Sequence, residues 1–242
     1  MYTRPAEVGL WRVAGRAKVT GRVLEHHSPS SPGTPLVGDR STTRIVHHER
    51  DVKSWMAAPP SVEQARPGRC PGCGAAARPV GGRLGLHGHG LRERQQRGPV
   101  TPESAPAVVV VALRRYRCVA CAAVIAVVPR DVEPRRHYSR PAIALALALW
   151  SVAPLPPAEI RQRISPWPIV GATAAGEGWV TLRRWARAGR AGRLFGAVGR
   201  PLVGTLRQVA GRLAAIALGH APPVLRHLPR EAQVFHGAVA MA

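Results

Sequence analysis

Acidic residues, lysine, aromatics and cysteine are all scarce in this 242-residue chain, and each scarcity narrows what it can be. Only 13 residues are acidic against 35 that are basic. Three of the acids are aspartates, Asp39, Asp51 and Asp131, and beyond Glu133 there are only Glu159, Glu177 and Glu231. Phosphoryl transfer on paired divalent metals needs a set of carboxylates to hold them, and so thin a supply excludes that chemistry. There is no nucleophile elbow, phosphate loop or His-Glu-x-x-His either. The chain therefore reads as non-enzymatic, with no small-molecule substrate. Aromatics make up 5% of the residues, beside 24 prolines and 25 glycines, which predicts short modules and loose tails instead of one large core. Long apolar runs are missing too. The longest, "PAIALALALWSVAPLPPA" at 141–158, is broken by proline after Ala153, short of the ~20 residues a spanning helix needs. With no apolar leader at the N-terminus, the expectation is a soluble cytoplasmic chain that makes no use of a membrane.

What is abundant is arginine. The formal net charge is +22, and lysine supplies only Lys18 and Lys53 of the basic total. Net charge rises along the chain, from +4 over 1–60 to +8 over 61–138 and +10 over 139–242. Such a balance predicts a polyanionic partner, and nucleic acid is the first choice.

The four cysteines form two matched pairs, Cys70-x-x-Cys73 in "RCPGCG" and Cys118-x-x-Cys121 in "RCVAC". In a reducing compartment this spacing favours metal over disulfide. Two such turns supply four thiolates, which close a tetrahedral zinc shell and leave no open position for catalysis. The predicted cofactor is a structural Zn2+ on Cys70, Cys73, Cys118 and Cys121. His87 and His89 would share one face of a strand; because the thiolates already fill a shell, they read as polar strand residues.

The rest of the chain organises around these pairs. Residues 1–54 show no sustained period and include the linker-like "HHSPSSPGTP", so they read as a disordered N-terminal extension, with His47 and His48 solvated and order beginning near Trp55. Residues 55–138 read as a zinc ribbon. "SVEQ" at 61–64 suggests a capped turn before Pro67, 81–98 a glycine-interrupted strand, 101–106 a loop, and 107–118 and 123–129 two more strands. Residues 139–195 read as a helix-turn-helix-like module. Ser139 would cap a helix over 140–152, with a second at 156–164 and a third at 178–190 that turns Val180, Leu182 and Trp185 inward. Residues 196–242 would hold the last helices, one of them at 201–220 with Leu202, Leu206, Val209, Leu213 and Ile216 in helical spacing. Trp150, Trp167, Trp179 and Trp185 are expected in the core. The fold class is thus α+β.

The arginines divide between these modules. Arg92, Arg94 and Arg97 precede the hairpin turn, and Arg114, Arg115 and Arg117 lead into Cys118. If the arms pair, both rows would lie on one small sheet and meet phosphates. Arg183, Arg184 and Arg187 would come from the third helix, in a major groove.

The segment "CPGCG…LHGHGLRERQQRG…RRYRCVACAAVIAVVPRDVEPRRHYS" resembles the N-terminal zinc-ribbon region of bacterial insertion-sequence transposases and related transposon-associated proteins, over about residues 66–190. The resemblance implies a ribbon, a helix-turn-helix and DNA binding, here without a catalytic domain, in a bacterial chain that would sit at the nucleoid when bound. Ala122 stands where that family usually has glycine after the last cysteine. Two alternatives stay open. One is a protein-interaction or assembly module associating through the 201–218 helix; the other is an RNA-binding accessory protein, with DNA the favoured partner.

Overall fold

The computed structural model describes residues 43–167, 178–198 and 200–241. Its four strands are β1 (Arg44–His48), β2 (Leu86–Gly98), β3 (Ala107–Cys118) and β4 (Val124–Pro129). They form one sheet in the order β1-β4-β3-β2. β2 and β3 are the two arms of a long antiparallel hairpin, β4 returns antiparallel to β3, and β1 runs parallel to β4. The hairpin follows from the valine-rich run 108–111 and from Tyr116, residue types that suit a pleated, half-buried surface. β4 is covered on both faces, with Ile125, Ala126, Val127 and Val128 all buried, hence its unbroken apolar sequence.

Order starts earlier than Trp55. β1 lies at 44–48, inside the stretch expected to be disordered, and His47 and His48 are half-buried members of it. Five residues are too few to show a period, and the partner of β1 is some eighty positions away in sequence, so nothing local announces it. The remainder of that extension, 1–42, lies outside the described residues. A short helix, α1 (Val52–Ala57), follows; the carboxylate of Asp51 caps it by accepting from the Ser54 amide at 2.7 Å. It buries Trp55, whose indole N–H donates to the Ala112 carbonyl at 2.9 Å. Ser61 and Gln64 exchange reciprocal side chain–backbone hydrogen bonds, so the expected capped turn is present.

The second half is helical: α2 (Arg140–Ser151), α3 (Pro157–Ile164), α4 (Val180–Arg190), α5 (Leu206–Gly219) and α6 (Arg230–Ala240). Ser139 caps α2, accepting from Ala142 N at 3.2 Å, and Pro141 sits in the first turn where its missing N–H costs nothing. From Arg140 to Leu149 every residue of α2 is buried. Its alternation of alanine with Ile143, Leu145, Leu147 and Leu149 lets neighbours approach closely on all sides, so the longest apolar run of the chain becomes the axis of a helical core. No helix among the described residues is long and apolar enough to cross a membrane.

That core is continuous from Tyr138 to Met241. The boundary expected at 195/196 therefore does not separate two cores, and the low aromatic content did not prevent a sizeable one, because alanine and leucine supply the volume. Tyr138, Trp179 and Trp185 pack edge to face, with centroids 5.0 to 6.0 Å apart. Two expected core residues lie elsewhere. Trp167 is 52% exposed with Arg97 stacked over its ring, and Val180 is 54% exposed. Trp150 is partly buried beneath Arg207. Leu202 is buried ahead of α5, not within it, and the Val209/Leu213 stripe of α5 faces the chain's own core. An association surface built from that stripe is thus already occupied.

The sheet and the helices are tied at one buried junction. Glu133 and Arg140 form an ion pair at 3.2 Å, each at most 5% exposed, and the second Glu133 oxygen accepts from the Phe195 amide at 3.0 Å. Burial of two charges is tolerable only when both are matched in this way. His47 reaches in from β1, 3.0 Å from the Val132 carbonyl and 3.4 Å from Arg140 Nη2. Burial pushes its imidazole below the ordinary pKa, and Arg140 adds to that while the Val132 contact opposes it.

Candidate metal centre and arginine surface

The two Cys-x-x-Cys turns meet at the end of the hairpin remote from its connecting loop. The first turn precedes β2 and the second leaves β3, so the hairpin itself absorbs the long gap between the pairs. The four Sγ atoms all lie within 4.8 Å of one another. Cys70 and Cys121 are 3.7 Å apart, as are Cys73 and Cys118. A tetrahedron with metal–thiolate bonds of about 2.3 Å has edges of about 3.8 Å. The donor set and its size therefore fit a metal ion, and all four sequence-predicted ligands are brought together.

The two turns are built alike. Cys70 N donates to Ala75 O and Gly74 N to Cys70 O; Cys118 N donates to Ala123 O and Ala122 N to Cys118 O, all at 2.9 or 3.0 Å. The fifth residue of each turn is left-handed, Gly74 at φ +76° and Ala122 at φ +57°. Ala122 thus occupies a conformation that suits glycine. The Gly72 amide lies 3.4 Å from Cys70 Sγ. Burial works against ionisation of Cys70, but the backbone N–H groups of Cys73 and Gly72, with the thiols of Cys118 and Cys121, bring it down to about 7. At Cys121 the Ala123 amide favours the thiolate, but the Cys73 thiol, burial and the remaining thiols push it up to about 12. Opposite shifts within one cluster are what four close sulfurs give when protons must be shared. A metal replaces those protons, so its binding releases them.

The arginine arms do pair, but the pairing divides them. Residues directly opposite across a ladder share a face. Arg92 lies opposite Leu113 and Arg94 opposite Val111; Arg115 lies opposite Ala126 and Arg117 opposite Val124. These four share one face. Arg114, opposite Leu91, and Arg97, opposite Val108, lie on the other. The single arginine face expected from the sequence is therefore split by strand alternation. Availability differs as well. Arg92 and Arg117 are exposed. Arg94 is half-buried and donates to the carbonyls of Glu133, at 2.8 Å, and Arg136. Arg114 donates to Pro60 O at 3.0 Å. Arg115 is half-buried, and Arg97 is stacked on Trp167. His87 and His89 are exposed and stand outside the thiol cluster.

On α4 the expected segregation is clear. Leu182, Trp185, Ala186 and Gly189 are buried, while Arg183, Arg184 and Arg187 are exposed. Arg190 extends the row, and its i+7 spacing from Arg183 is the sequence signal that places it there. None of these four makes an ion pair among the described residues. On α3, by contrast, Arg163 pairs with Glu159 at 2.8 Å. The connection between α3 and α4 falls largely on 168–177, outside the described residues.

No protein-family model, no curated protein and no solved structure matches the chain.

Proposed function

We propose that this chain is a zinc-stabilised DNA-binding protein without catalytic activity, derived from a transposon and lacking a transposase's catalytic domain. The observation that carries the reading is the arginine face of α4: Arg183, Arg184, Arg187 and Arg190, exposed together on a helix whose opposite side is locked into the core. A cationic stripe on an already folded helix loses little backbone freedom on meeting phosphate, and α3 with α4 would act as a helix-turn-helix whose second helix enters the major groove. Zinc on the four cysteines would fix the end of the hairpin and hold Arg92 and Arg117 on one face beside it. The metal supplies no chemistry beyond this crosslink.

The test is binding of a labelled random duplex across a salt series. The intact chain should lose affinity steeply with salt, and Arg183→Ala/Arg187→Ala should flatten the log–log slope by about 2. A slope unchanged in that variant would take α4 out of the interface. Structured RNA that outcompetes the duplex at equal phosphate would favour the RNA-binding alternative instead.

A further inference from the structure

The arginine-bearing sheet face is not flat. Beside β2 and β4 it sinks into a cavity of about 710 Å³. That is within the range of about 300–1,000 Å³ of small-ligand sites. Its floor is aliphatic, with half-buried Ile45 the most accessible and Leu113, Ala126 and Val128 almost fully buried beneath, all on one side of the sheet by register. Its wall is cationic, with Arg92 and Arg94 on β2 and Arg135 and Arg136 on the segment after β4, where the exposed imidazole of His137 also lies. Glu93 is the only acid among the lining residues, and its register opposite Ala112 sends it to the other face. Arg92, Arg135 and Arg136 make no ion pair among the described residues.

Two features separate this cavity from an ordinary solvated arginine surface. Arg94 is fixed by the Glu133 and Arg136 carbonyls, which also ties the segment carrying Arg135 and Arg136 to β2. Arg135 itself is left-handed at φ +59°, a conformation unfavourable for a residue with a side chain. A side-chain-bearing residue held in that conformation on a cavity wall is a position to test for function.

An aliphatic floor under a cationic wall does not suit a duplex, whose bases are stacked inside and whose outer surface is phosphate. It suits one nucleotide taken out of the stack, with its base against the floor and against guanidinium or imidazole planes, and its phosphate on the arginines. We propose that this cavity is a subsite for a single unpaired nucleotide of a nucleic-acid strand, such as a frayed end or overhang beside a bound duplex. The inference rests on the nucleic-acid-binding reading above, and adds to it a preference that α4 alone would not produce.

The experiment compares a blunt duplex with the same duplex carrying a short thymidine overhang, at matched total phosphate, on the full chain. Wild type should bind the overhang about tenfold more tightly. Arg135→Gly/Arg136→Ala should abolish that preference while keeping blunt-duplex affinity within about threefold. Glycine at 135 suits the backbone there, so an unchanged or higher melting temperature of Arg135→Gly alone shows that lost preference is not lost folding. Tight blunt-duplex binding without overhang preference in wild type overturns the subsite and leaves the DNA-binding reading standing; binding of neither duplex overturns both. Free thymidine monophosphate is the last arm. If it saturates the cavity at micromolar concentration while the overhang adds nothing, the ligand is a free nucleotide and the strand proposal fails.

Discussion

At the scale of single residues, two positions carry the sharpest consequences. Ala122 and Gly74 hold equivalent places in the two cysteine turns, both left-handed, yet only one is glycine. A left-handed alanine costs about 1 kcal/mol or more, and glycine returns part of that through the entropy of its unfolded chain. Ala122→Gly should therefore stabilise the metal-loaded protein by about 0.5–1 kcal/mol, read as a higher melting temperature; an unchanged or lower one would mean the turn is shaped otherwise. The second position is Asp131. Burial raises its carboxyl to about 6, with the nearby Asp51 adding to the rise, although the Val52 amide at 2.8 Å, its own amide and Arg140 favour the anion. A folded pKa above the unfolded value of about 4 means that protonation favours the folded state. That contribution is complete below about pH 4 and is lost as the pH rises through about 6. Asp131→Asn should consequently be more stable than wild type at neutral pH, by about 1–3 kcal/mol, with the difference vanishing below about pH 4. Paired melts across that range would reveal an opposite trend if the carboxylate is held ionised.

At the scale of elements, the β2–β3 hairpin is the organising piece. The cysteine cluster closes one end, and at the other Gly98, at φ +115°, lies so close to α2 that an added Cβ would come within 2.5 Å of the Ala142 Cβ. The Glu133–Arg140 pair locks the same junction. Glu133→Gln leaves Arg140 buried without its counter-charge and should cost about 3–5 kcal/mol in urea unfolding, while Glu133→Gln/Arg140→Met, which still accepts from the Phe195 amide, should recover part of it. A mild single-variant effect would show the pair to be hydrated. Much of this level was legible from the sequence. β3 and β4 were visible as β-branched runs, α2 through Ser139 and Pro141, and the metal cluster through its matched spacings. What was not legible is non-local. β1 is recognisable only by its parallel partner, the division of the arginines between faces depends on pairing register, and the single helical core depends on α2 being wrapped from both sides. Arg94 illustrates the last step: it looked like a phosphate ligand in the sequence, and a fold-dependent pair of carbonyls gives it a structural role.

At the scale of the whole molecule, charge and crosslink have to act together. The arginines of α4 lie on a core to which none of the four cysteines belongs, while Arg92 and Arg117 lie on a hairpin with the four thiols at its far end. If the account is right, metal and DNA are thermodynamically linked. The direct measurement is duplex affinity of the full chain, first loaded with one equivalent of zinc, then stripped by chelator, then reloaded. We expect affinity to fall by about tenfold on stripping, as the hairpin's phosphate contacts are lost, and to return with a single equivalent of zinc. A chain that takes up no zinc, or binds the duplex equally well without it, would contradict the account.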